Sequence, residues 1–147
     1  MFTHQLPKSN TLFSVRFTSF AEKHYLKDFK KKYKGKQWEF TENSIKEDLS
    51  RLRMQNNLTQ QSNQIDELKY IDNMWLAKYD FKIAGSKQST KASGNRCILN
   101  INNEKNIIEV LMIYNKTHLP KNKDETKYIM QEIENNYKQL SELVLSK

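Results

Sequence analysis

A chain of 147 residues, 37% of them hydrophobic, suits one globular domain whose core hides roughly two thirds of the unfolded surface. Lysine and arginine number 25 against 17 acids, a net charge of +8, which points to an anionic partner such as nucleic acid or an acidic protein. The single cysteine, Cys97, excludes an internal disulfide, and with three scattered histidines it is too little for a metal site, so a reducing cytoplasm is the expected home. No apolar run approaches the roughly 20 residues of a membrane span. The opening MFTHQLPKSN lacks the apolar core of a signal peptide.

Residues 1–10 are polar, contain Pro7 and read as a flexible tail, leaving 11–147 as one domain. Phe13, Val15 and Phe17 alternate with Ser14, Arg16 and Thr18, which predicts a first strand. Ser19 is placed to cap a helix running to Tyr33, with Phe20, Leu26 and Phe29 on one side and a crowd of lysines on the rest. Lys30 and Lys31 belong to that crowd, which is either a solvated face or a contact for a nucleic-acid backbone. Gly35 breaks the pattern, and KGKQWEF reads as a connector. Thr41 is placed to cap a second helix, where Ile45, Leu49 and Leu52 recur at helical spacing down to about Met54. Residues 55–73 are rich in Gln and Asn and read as a long connection with one weak turn around Ile65–Tyr70.

Three strand-like runs follow. Trp75, Ala77, Tyr79, Phe81 and Ile83 alternate with Leu76, Lys78, Asp80 and Lys82, so one aromatic face is buried, a mostly charged one is offered, and Lys78 and Lys82 should point the same way. A loop carrying Lys87 and Lys91 among Gly and Ser leads to a second strand, Asn95 to Asn102, opened by Arg96. The apolar run Ile107 to Tyr114 predicts a central strand, and its exit carries Asn115, Lys116 and His118. Asp124 is placed to cap a C-terminal helix with Tyr128, Ile129, Ile133, Tyr137 and Leu140 on its apolar side. The expected fold is α+β, in the order N-terminal strand, two N-terminal helices, three C-terminal strands and a C-terminal helix, with the helices on one side of an antiparallel twisted sheet.

Pairing of sequential strands as hairpins puts Lys82, Arg96, Lys116 and His118 near one edge of the sheet, beneath the lysine loop. Only Asp80 is on hand to balance them, so the cluster calls for an anionic ligand, with phosphate the natural choice. Phe81-Lys82-Ile83, the basic loop, Ser93-Gly94-Asn95-Arg96 and the strand ending Ile113-Tyr114-Asn115-Lys116 resemble the toxins of the RelE/ParE superfamily, particularly the RelE and HigB branch. Two positions depart from that pattern: Asn95 stands where the family keeps a tyrosine, and no aromatic residue follows Lys116.

The resemblance implies a type II toxin that cuts mRNA on the ribosome, without cofactor or metal, and is neutralised by an acidic antitoxin. It also implies that the first strand joins the same sheet. In such cleavage the 2′-OH attacks the adjacent phosphate, leaving a 2′,3′-cyclic phosphate and a 5′-OH. A base, a group for the phosphorane charge and an acid are then required. Arg96 and Lys82, with Lys116 beside them, suit the charge, while His118 or Lys78 suits proton transfer. Tyr114 can stack on a base, donate a proton or simply pack. Lys87, Lys91, Lys30 and Lys31 are candidate RNA contacts. The alternatives are a non-catalytic toxin of the same fold that inhibits gyrase, or a basic module that binds nucleic acid or protein.

Overall fold

A computed structural model of the chain describes residues 12–52, 64–121 and 124–141. Five strands form one sheet in the order β1-β5-β4-β3-β2, from β1 (Ser14–Phe17), β2 (Ile65–Ile71), β3 (Met74–Phe81), β4 (Asn95–Asn102) and β5 (Ile107–Asn115). The α+β class holds, and β1 does join the sheet, but the sheet is mixed rather than antiparallel. β1 runs parallel to β5, Ser14 beside Ile107 and Phe17 beside Val110, while the other neighbours are antiparallel.

β2 lies where a long connection was expected. Its signal is the turn joining it to β3: Asp72 and Asn73 both have positive φ, 49° and 64°, which is the demand of a tight two-residue hairpin and a conformation Asp and Asn tolerate. A bulge at Leu68, between the pairs Glu67–Ala77 and Lys69–Leu76, breaks the strand's alternation and hides it from a period-two search. The tail expected over 1–10 and residues 53–63 lie outside the described residues.

The helical segment α1, residues 19–32, begins as Ser19–Ala21, widens to a π-helix over Glu22–Leu26, and ends through Lys27–Phe29 in a 3-10 turn, Lys30–Lys32. Its cap is Thr18, not Ser19, with Oγ1 accepting from the Ala21 N–H at 3.0 Å. Helix α2 spans Gln37–Ser50 and so starts four residues before Thr41. Thr41 is instead a buried brace: its hydroxyl donates to the Gln37 carbonyl and accepts from the Ala84 N–H, both at 2.8 Å. A short helix α3, Thr90–Ser93, sits in the β3–β4 loop, and α4, Glu125–Asn136, is capped by Asp124 as its sequence suggests.

Helices cover both faces of the sheet. Trp38, Ile45 and Leu49 of α2 pack with Leu26 and Phe29 of α1 on Ala77, Tyr79, Phe81, Leu99 and Ile101. Ile129 and Ile133 of α4, with Tyr137 and Leu140, cover Leu76, Ile98, Met112 and Tyr114 on the other face. The helices are therefore not on one side, and the charged face of β3 is not open to water, because α4 lies over it. A bulge at Leu111, between the pairs Ile98–Met112 and Leu99–Val110, turns Leu111, Met112 and Tyr114 all toward α4.

Candidate functional site

The ends of three strands meet where the sequence places the site: Phe81 pairs with Asn95, and Asn95 with Asn115. A polar lattice fixes this sheet end. The Ser93 hydroxyl is 2.7 Å from the Phe81 carbonyl, and Asn115 Nδ2 donates to Asn95 Oδ1 at 2.7 Å and to the Ser93 carbonyl at 2.9 Å. Asn115 Oδ1 then accepts from the backbone and hydroxyl of Thr117, shaping the 3-10 turn Lys116–His118. Gly94, at φ 73°, ends α3, and its missing side chain makes room for Lys116: a Cβ there would stand 3.0 Å from Lys116 Cγ.

Arg96 does not share this open end. Its side chain, 13% exposed, lies under α4 with Nε 3.1 Å from Asp80 Oδ1 and Nη1 bonded to Glu125. Asp80 is directly opposite in β3 and Tyr114 directly opposite in β5, where its hydroxyl donates to the other Glu125 oxygen at 2.6 Å. Lys78 joins the same cluster, its Nζ 3.8 Å from Glu125 and its side chain 18% exposed. Burial pushes the Glu125 carboxyl up, but hydrogen bonds from Arg96 and Tyr114 and the nearby positive charges outweigh it and hold it below its usual value. Burial raises Asp80, and the charges of Arg96 and Lys78 only partly offset it. Burial and Glu125 together raise the Tyr114 phenol.

The phosphate-binding role expected for Arg96 is therefore corrected, since two carboxylates already satisfy its charge and α4 seals it from a chain of RNA. Lys78 is removed from the candidate bases for the same reason. Tyr114, only 6% exposed, packs and braces Glu125. The shared direction expected for Lys78 and Lys82 also fails: Lys78 reaches Glu125 of α4, whereas Lys82, one residue past the end of β3, lines the groove beside α2.

Lys82, Lys87, Lys91, Lys116 and His118 are all exposed. Among the described residues none of them forms an ion pair. Lys82 borders a groove beside α2 that also includes Thr41, Arg51 and Thr90, while His118 lines another between α1, β5 and α4. They flank one sheet end from two sides rather than sharing a cavity. Lys30 and Lys31 are exposed on α1, and Lys31 Nζ is 3.3 Å from Asp28.

Sequence reasoning missed Glu125, Asn95 and Asn115. Glu125 is 29 residues from Arg96 and follows a helix cap, so local pattern reads it as an ordinary first-turn acid. Asn95 is a buried link of the sheet-end lattice. Among the described residues no group of three or more His, Cys, Asp or Glu is arranged to hold a metal ion. No protein-family model, curated protein or solved structure matches this chain.

Proposed function

We propose that the protein is the toxin of a type II toxin–antitoxin pair, acting in the cytoplasm as an endoribonuclease that cuts mRNA on the ribosome. The observation that carries the proposal is the hydrogen-bonded sheet end, where Lys82, Lys116 and the loop lysines Lys87 and Lys91 stand exposed and without carboxylate partners among the described residues. Unneutralised ammonium groups around a fixed backbone suit a polyanion. Lys116 supplies charge to the phosphorane, His118 in the same turn transfers a proton to or from the ribose or leaving oxygen, and Lys82 holds the RNA backbone on the other side of the sheet end. The 2′-OH is itself the nucleophile, so this chemistry requires no metal. An acidic antitoxin covers the same lysines and discharges them.

The capture of Arg96 favours a second reading, in which the same basic end binds nucleic acid or protein without cutting, as in a gyrase-inhibiting toxin of this fold. Translation in vitro followed by primer extension separates the two. Ribosome-positioned cuts that disappear in the Lys82→Ala/Lys116→Ala double variant, with its circular dichroism unchanged, support the nuclease. Intact mRNA with wild-type protein overturns it, and plasmid cleaved only in the presence of gyrase supports the second reading.

A further inference from the structure

We propose that the groove between α1, the end of β5 and α4 is a subsite for one ribonucleotide, its base held by tyrosines and its phosphate met by Lys32, His24 and His118; the ligand's identity as RNA rests on the function proposed above. The groove measures ≈ 360 Å³. That lies in the range of small-molecule clefts, about 300–1,000 Å³, and has room for one nucleotide but not a duplex.

Its walls are set before a ligand arrives. The Tyr25 hydroxyl donates to Glu132 at 2.6 Å and accepts from Asn136 Nδ2 at 3.3 Å, and Tyr114 is tied to Glu125. Tyr128 stands edge-on to Tyr114, with ring centroids 6.1 Å apart. Fixed aromatic rings bind a base at little entropic cost. The rim is basic: His24, Lys32 and His118 are exposed, and Asp28, the carboxylate that also lines the groove, already faces Lys31.

His24 and Tyr25 lie in the π-helical turn of α1, where the Lys27 N–H reaches back five residues to the Glu22 carbonyl. This is a rare backbone state, frequent at functional sites. One face of the His24 ring stacks on Phe20, with centroids 4.1 Å apart, which holds the imidazole at the groove mouth. His118 closes the turn that begins at Lys116, so a strand of RNA lying on the basic sheet end leads into the groove.

Proton NMR of the histidine rings during titration with adenosine 5′-monophosphate tests the assignment, with adenosine and inorganic phosphate titrated separately. The His24 and His118 resonances are expected to shift saturably with the nucleotide, at lower concentration than with either half alone. Lys32→Ala and Tyr128→Leu should each weaken binding about tenfold, the loss of one phosphate contact or one stacking wall. Unmoved resonances, an equal response to inorganic phosphate, or undiminished binding in Tyr128→Leu would each overturn the proposal. mRNA cutting without nucleotide binding sinks the groove and leaves the nuclease standing, whereas binding without cutting does the reverse.

Discussion

Arg96 and Asp80 face each other from adjacent strands with Nε 3.1 Å from Oδ1, and the side chains are only 13% and 5% exposed. Neither of these two buried atoms makes a hydrogen bond, so each depends on the other's charge. Replacing Arg96 by Met leaves Asp80 without its ion-pair partner beneath α4 and Glu125 with only Lys78 and the Tyr114 hydroxyl, a loss expected to be about 3–5 kcal/mol in urea unfolding. Asp80→Asn combined with Arg96→Met should recover part of it. A single-variant loss below about 1 kcal/mol would show that water reaches the pair.

Glu125 gives the fold an acid-sensitive clasp. Its folded-state carboxyl is held below its usual value, so its stabilising contribution is present above the unfolded value, about 4.3, and is lost as pH falls through the lower folded one. Asp80 is shifted the other way and opposes the loss, because the folded state takes up its proton first. Urea midpoints between pH 5 and pH 3 should therefore fall less steeply in Glu125→Gln than in wild type. Identical slopes would remove Glu125 as the sensitive group.

Gly94→Ala tests how Lys116 is placed. The backbone there has φ 73°, and the added methyl would meet Lys116 Cγ at 3.0 Å. Strain in the left-handed region is worth about 1–2 kcal/mol, so stability should drop by that order and Lys116 should be displaced. RNA affinity is expected to fall with it, as read by fluorescence anisotropy on a labelled single strand.

Asn115→Ala should separate position from fold. Its amide ties Ser93 and Asn95, and its carbonyl oxygen holds Thr117. Loss of mRNA cutting well beyond any change in melting temperature is expected, with hydrogen exchange rising at Lys116–His118. Unchanged exchange there would show that the turn is held by other contacts.

The exposed lysines should act through phosphate. Each of Lys82→Ala and Lys116→Ala is expected to leave unfolding unchanged and to lower the slope of log affinity against log salt by about 0.7, the value for one contact to a single strand. A slope identical to wild type would place that lysine off the RNA path.

The strands of the central hairpins were legible because period-two alternation survives from Trp75 to Phe81 and an unbroken apolar character marks Ile107 to Tyr114, and hairpin pairing then aligns Phe81, Asn95 and Asn115. β2 was not, since Leu68 bulges and the charged Asp66, Glu67 and Lys69 interrupt its apolar residues; the Asp72-Asn73 pair was its readable mark. The positive charges at the sheet end were visible one by one. Which of them are already spent was not, because Arg96 is neutralised by a residue 29 positions away on a helix whose docking face the sequence does not reveal. Alternation in β3 predicted the right face for Lys78 and Asp80, but not that α4 would roof it.

The side-by-side run of Ser14–Phe17 with Ile107–Val110 joins segments separated by most of the polypeptide. During synthesis the N-terminal segment must wait, unpartnered, until the residues after Asn106 have emerged, and contacts of such separation slow the search for the native state. Chains stopped before that point lack the neighbour that completes the sheet and its basic end together. Truncated forms should therefore lack whatever activity depends on that sheet end.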